Sequence, residues 1–203
     1  MKKYNEVEQR TSEWQQLRKG KITGTGLKSI MGTPYAKEDY FYEMIAERLT
    51  VGVEEEYENP MDRGIRLESD AIATFELETG KKVERTGFCE DDDDPAIANS
   101  PDGLIGETEA VEAKCLGGKN HVRVWLENEI PKDYKWQVIQ YFVVNQKLKK
   151  LYFFSYNPDI PTHPFHLIKI TRKELETDIE LAHKIQEEFI AKGNEALKKI
   201  VKL

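Results

Sequence analysis

The order of periodicities in this chain predicts a mixed α/β domain in which one central β-sheet is flanked by helices. Two patterns and the composition support that class. Residues 62–79 carry apolar side chains at helical spacings of three and four, and after Gly80 the pattern changes to short alternating runs punctuated by Pro and Gly. The chain is 39% hydrophobic and 33% charged, the balance of a globular protein rather than a disordered or membrane one. At 203 residues it suits one buried core better than two, so a single domain over 1–203 is expected.

The elements follow in order. Ser12 with Gln15 three residues on reads as a capping box, starting a short helix that stops near Gly20. Next, Lys21-Ile22-Thr23-Gly24-Thr25-Gly26 forms a loop opening into a second helix with Leu27, Ile30 and Met31 on its apolar face. Free N–H groups at such an opening can hold an anion. A third helix is expected over 39–49, then an acidic connector over 51–60. The helix over 62–79 is closed by Gly80 and aligns Ile65, Glu68, Ala71, Ile72 and Phe75 on one face. Strands are expected over 82–88, 96–99, from Leu104 onward and over 110–116. A helix over 131–148 has Pro131 in its first turn, strands cover 151–156 and 165–170, and one or two amphipathic helices over 172–201 are broken or weakened near Gly193. Trp14, Trp125 and Trp136 fall on helices, where core packing is their expected role.

The net charge of −7 is the wrong sign for a protein that meets phosphate, yet the sum hides a gradient. Residues 1–37 carry eight Lys/Arg against three Asp/Glu, residues 38–94 six against nineteen, and residues 95–203 sixteen against fifteen. A basic N-terminal segment can therefore face an anion while the acidic middle faces water. Nothing at the polar start reads as a signal sequence and no apolar run matches a membrane span, so the expected address is the cytoplasm. Cys89 and Cys115, the two cysteines, are too few for a disulfide scaffold or a four-thiolate cluster and are expected as reduced, buried thiols.

Chemistry concentrates around Ser100-Pro101-Asp102-Gly103 and Glu112-Ala113-Lys114. In a strand, residues two apart share a face, so Glu112 and Lys114 project together, Ala113 turns into the core, and a paired hairpin brings Asp102 beside them. Two carboxylates, the Ala113 carbonyl and one ammonium make a hard-oxygen set that suits Mg²⁺ or Mn²⁺. Two such ions can activate water and stabilise a leaving oxygen in phosphodiester hydrolysis. Lys114 would orient or help deprotonate the water and offset charge developing on the phosphate. Read alone, the same residues are equally an Asp turn and a Glu/Lys pair on the wet face of a hairpin. Glu68, a carboxylate on an apolar helix face, is read alone as a boundary glutamate.

Taken together and in this order, Glu13-Trp14-Gln15-Gln16-Leu17-Arg18-Lys19-Gly20-Lys21-Ile22-Thr23, the Gly64-x-x-x-Glu68 helix, Ser-Pro-Asp-Gly-Leu, Val-Glu-Ala-Lys-Cys and Gln137-x-x-x-Tyr141 resemble the lambda exonuclease (YqaJ-type) family of the PD-(D/E)XK nuclease superfamily. The resemblance implies a restriction-endonuclease-like core and a magnesium-dependent exonuclease that digests one strand of linear duplex DNA from the 5′ end and leaves a 3′ single strand. It implies metal binding by Glu68, Asp102, Glu112 and the Ala113 carbonyl, with Lys114 as the catalytic lysine and Gln137 and Tyr141 as a supporting pair. Arg18, Thr25 and Ser100 match a pocket for the 5′-terminal phosphate, although Thr25 stands where the family often has serine. A ring-shaped homotrimer and a single-strand annealing protein as companion are implied by resemblance alone. A structure- or sequence-specific endonuclease on the same fold and a non-catalytic DNA-end-binding protein are the alternatives.

Other features point to no site. Asp91–Asp94 lacks the spacing and glycine of an EF-hand loop and is expected as a solvated hairpin tip. His121, His163, His166 and His183 have no metal-ligand or triad spacing.

Overall fold

The computed structural model describes residues 1–49 and 62–201, so the expected connector over 51–60 lies outside the described residues. The larger sheet is mixed, in the order β4 (Gly103–Ile105), β5 (Glu109–Lys114), β6 (Lys150–Tyr156) and β7 (Phe165–Thr171). β5 and β6 run parallel and the outer pairs antiparallel. A second, smaller antiparallel sheet joins β1 (Lys2–Lys3), β2 (Cys89–Glu90) and β3 (Ala98–Asn99), an addition to the expected single sheet.

The two-residue period of β5 and β6 feeds two apolar layers. Ala110, Leu151 and Phe153 pack with α2 (Gly24–Ile30), α3 (Pro34–Leu49), α6 (Lys135–Val144) and α7 (Glu176–Val201). Val111, Ala113, Tyr152 and Phe154 pack on the other face against Ala71, Ile72 and Phe75 of α4 (Asp62–Thr79). Phe75, fully buried, stacks on Phe154 with ring centroids 5.2 Å apart. Burying each such side chain stabilises the fold by roughly 1.5–3 kcal/mol. This contact anchors α4 over the end of β5 and fixes where Glu68, two turns upstream, projects.

Several elements differ from expectation for local reasons. The cap of α1 (Ser12–Arg18) is Thr11, whose hydroxyl accepts from the Trp14 N–H, so the neighbouring Ser12 is the first helical residue. Helix α3 starts at Pro34, five residues early, because the Thr33 hydroxyl accepts from the Ala36 N–H and Pro34 suits the first turn. The strand expected over 82–88 reduces to an isolated bridge between Glu84 and Leu104. Here the N-terminal segment lies on the chain: Tyr4 N–H donates to the Phe88 carbonyl, and a Cβ at Gly87 would fall 1.8 Å from the Val7 carbonyl oxygen. Only glycine permits that approach.

Trp125 lies on α5 (Gly118–Glu127), which ends at Asn128 in the left-handed conformation, but it is 40% exposed and meets His163 edge-on rather than packing in the core. Pro131 precedes a 3₁₀ turn, Lys132–Tyr134, and α6 ends at Val144 rather than 148. Helix α7 runs unbroken through Gly193 because Phe189 and Ile190 before it, and Ala196 and Leu197 after it, all pack on the core. That packing outweighs the roughly 1 kcal/mol a helical glycine costs. Among the described residues no helix is long and apolar enough to cross a membrane.

Candidate active site

The register Gly103↔Val111 places Asp102, the last residue before β4, beside Glu112 at the centre of the larger sheet. Its Oδ2 accepts from the Ala113 N–H at 2.8 Å, a bond β4 is too short to supply. Glu112 is fully buried, which excludes the wet-face reading of the hairpin. Lys114 forms an ion pair with Glu112 Oε1, and that buried oxygen has no hydrogen-bond partner besides. Tyr141 on α6 completes the group: its phenol donates to Glu112 Oε2 and accepts from the Asp102 N–H at 3.1 Å.

Electrostatically this is a concentration of like charge in a dry place. Burial, and then the charges of Glu112 and Glu68, hold the Asp102 carboxyl well above the usual carboxylate range. Burial works against the charge on Lys114 as well, but Glu112 and Asp102 outweigh it and hold the ammonium above the usual lysine range. Burial, with Glu112 beside it, keeps Tyr141 a neutral phenol able to donate.

Glu68 stands across a cleft of about 350 Å³ that Asp102 also lines. Its Oε2 accepts from Arg10 Nη2 at 3.0 Å. Among the described residues no three acidic, histidine or cysteine side chains are arranged as a ready-made metal cage. The donor chemistry nonetheless fits a hard divalent cation: Glu68 and Asp102 line one cleft, Glu112 lies beside Asp102, and buried Glu112 Oε1 has no hydrogen-bond partner besides the Lys114 ammonium. In this structure Glu68 is turned to Arg10, and Glu112 to Lys114 and Tyr141.

Arg18, Thr25 and Ser100 converge as expected. Arg18 Nη1 donates to Ser100 Oγ at 2.8 Å, and Nη2 to Thr23 Oγ1 at 3.2 Å and Thr25 Oγ1 at 3.5 Å. A half-buried guanidinium ringed by hydroxyls is a site for an anion able to accept from all of them. Two partners escaped the sequence reading. Trp14 holds the pocket in place, with its ring 4.3 Å from the Arg18 guanidinium and its Nε1 donating to Ser100 Oγ and the Gly87 carbonyl. Thr23 shares a hydroxyl contact of 3.1 Å with Thr25. The one available signal was helical spacing, since Trp14 and Arg18 are four residues apart. Arg10 had no signal, its partner lying 58 residues away. Gln137, one helical turn before Tyr141 on α6, lies with its Cα and Cγ against Gly24.

The remaining features are structural. His121 is buried between Ser155 Oγ and the His163 carbonyl. Asp91 is buried rather than solvated, its Oδ1 accepting from the N–H groups of Asp93 and Asp94. Cys89 is buried, but Cys115 is partly exposed, and neither forms a disulfide.

Comparison with known proteins gives the family and the fold. Among curated proteins none matches the chain. The alkaline exonuclease LHK-Exo from Laribacter hongkongensis superposes with a TM-score of 0.80 at 27% identity, covering 95% of this chain and 99% of that one. A second structure of LHK-Exo, in complex with dAMP, gives 0.80 at 28% identity over the same shares. A phage-related exonuclease from Haemophilus somnus shares the fold, with a TM-score of 0.60 at 13% identity over 89% of this chain and 96% of that one. Residues 13–147 match the YqaJ-like viral recombinase domain, a span that holds Arg18, Glu68, Asp102, Glu112, Lys114 and Tyr141, and the chain belongs to that family.

Proposed function

We propose that this protein is a magnesium-dependent exonuclease that digests one strand of linear double-stranded DNA from its 5′ end to mononucleotides, leaving a 3′ single strand for recombination. One observation carries the reading: a single turn, Ser100-Pro101-Asp102, presents Ser100 to the Arg18 pocket and Asp102 to the carboxylate centre. An anchor for a terminal phosphate is thereby coupled to hydrolytic chemistry two residues away. The YqaJ-type family and the exonuclease relatives support the activity, and the relative bound to dAMP supports a site that accepts a deoxynucleoside monophosphate.

Glu68, Asp102, Glu112 and the Ala113 carbonyl would hold the divalent cations, two in number and replaceable by Mn²⁺. When bound, these supply Lewis-acid activation of water and stabilisation of the leaving oxygen. The chain's own residues do the rest. Lys114, held as an ammonium, orients the attacking water and offsets charge growing on the phosphate. Tyr141 fixes Glu112 and the backbone of Asp102 relative to each other. Arg18, Thr25 and Ser100 grip the 5′-phosphate and set which end enters. We further infer one catalytic domain and a cytoplasmic enzyme, and, on the family likeness, a homotrimeric ring and an annealing partner.

Digestion of three end-labelled or closed duplexes with Mg²⁺ tests the reading. Linear 5′-phosphorylated DNA should release mononucleotides rapidly, 5′-hydroxyl DNA slowly, and covalently closed circular DNA not at all. Nicking of the circle would replace the exonuclease by an endonuclease. No release from any substrate would leave the activity without support.

A further inference from the structure

Arg10 is placed with unusual care. It adopts φ +70°, in the left-handed region that non-glycine residues rarely occupy, one residue before the cap of α1. Gln9, next to it, donates to the Pro101 carbonyl at 2.9 Å, which ties this strained corner to the turn carrying Asp102. Thr11, on its other side, donates to the Glu8 carbonyl at 2.8 Å. From that corner the guanidinium crosses the cleft to Glu68, and its side chain keeps 40% of its exposure. Arg85 lines the same cleft, held by Ser69 Oγ at 3.2 Å.

We propose that Arg10 is an internal counter-ion of Glu68 that gives way to the divalent cation and then takes a phosphate of the bound DNA strand, acting as a positioning residue. This rests on the nuclease reading above. The logic is one of charge. Glu68 shares its cleft with a second carboxylate, Asp102, and Arg10 supplies it with a cation until a metal does. A guanidinium released beside the site has five donors and no carboxylate, and the DNA backbone offers the matching oxygens. Arg10 belongs to the basic N-terminal segment, which gives that segment a specific task rather than a diffuse attraction.

The test uses Arg10→Gly, because glycine adopts φ +70° freely and the variant keeps its fold, with Arg10→Lys as a second variant retaining charge. Calorimetric titration with Mn²⁺ in the absence of DNA should show R10G binding metal about two- to five-fold more tightly than the wild type, the size of a partly exposed ion pair. Binding of 5′-phosphorylated duplex in Ca²⁺ should weaken in R10G. The slope of log K against log salt should become shallower by about 0.9, one phosphate contact fewer, with R10K between the two. These opposite signs are the signature: a mere tether would lower both affinities or neither. Unchanged or weaker Mn²⁺ binding in R10G overturns the counter-ion, and an unchanged salt slope overturns the phosphate contact. Wild-type protein that binds no Mn²⁺ overturns the nuclease reading along with this one, whereas wild-type binding with an indifferent R10G overturns this one alone.

Discussion

The carboxylate centre and the Arg18 pocket share one turn yet are built on opposite principles. Around Asp102 the fold gathers like charges in a buried place, relieved by Lys114, the Tyr141 phenol and the Ala113 N–H. Around Arg18 it gathers neutral hydroxyls about a single cation. The first arrangement is unstable by itself and gains from a cation; the second is satisfied by itself and gains from an anion. A DNA end in the company of divalent metal supplies both. Removing charge at the two places should therefore have different consequences for stability as well as for activity.

The largest effect belongs to Lys114. Lys114→Ala should lower nucleotide release by about 10²–10⁴-fold, the range of a lost charge-stabilising or proton-handling group. It should also destabilise the fold by about 3–5 kcal/mol, since Glu112 is then a buried carboxylate without its ammonium. Thermal melting and end-labelled digestion read both. Full activity, or an unchanged melting temperature, breaks the account of this centre. Arg18→Ala comes next. It should cost about 10–100-fold on 5′-phosphorylated ends, the worth of hydrogen bonds to a charged group, and little on 5′-hydroxyl ends. Stability should move by no more than about 1 kcal/mol, because Thr23 and Thr25 keep each other and Ser100 keeps the Trp14 indole as partners. Equal losses on both kinds of end would reduce Arg18 to a structural role.

How much of this could be read from the chain follows from the range of each interaction. Asp102, Glu112 and Lys114 were legible because a turn and a two-residue period are local facts, and the ladder delivers them to one place. The helix over 62–79 was legible to the residue, because its apolar stripe and Gly80 are local too. The convergence of Arg18, Thr25 and Ser100 needed the family resemblance, since nothing local joins residue 18 to residue 100. Trp14 and Arg10 stayed hidden for the same reason, with partners 86 and 58 residues away. The stretch over 82–88 was misread as strand because alternation looks alike whether a sheet or the N-terminal segment covers it. Gly193 failed to break α7 because its neighbours on both sides are held by core contacts that no propensity scale records.

A smaller effect tests the charge crowding without any substrate. Asp102→Asn removes one negative charge and still offers an oxygen to the Ala113 N–H, so the carboxyl already pushed toward its neutral form by burial is replaced by a group that is neutral at every pH. In EDTA this variant should be more stable than the wild type by about 1–3 kcal/mol, as when a buried charge gives way to a neutral group, while releasing no nucleotide. A variant less stable than the wild type would mean that Asp102 is not strained by its neighbours.

The smallest effect uses the two thiols as reporters of the two regions. Cys89 pairs with Asn99 next to the Arg18 pocket, and burial pushes its thiol up to about 12. Cys115 follows Lys114 at the end of β5 and is partly exposed. The thiolate is the reactive form, so at pH 8 a disulfide reagent should modify Cys115 and leave Cys89 untouched until the chain unfolds. The sign for stability is set by the same shift: Cys89 favours the fold below the ordinary cysteine range, and that contribution is lost as pH rises toward 12, when the unfolded chain ionises and the folded one does not. DNA bound in Ca²⁺ should then slow Cys115 alone, because only the carboxylate end of the turn has a thiol within reach of solvent. Equal reactivity of the two in the native protein would show that the β2–β3 pair leading into Ser100 opens readily, and the contrast between a crowded centre and a settled pocket would have to be abandoned.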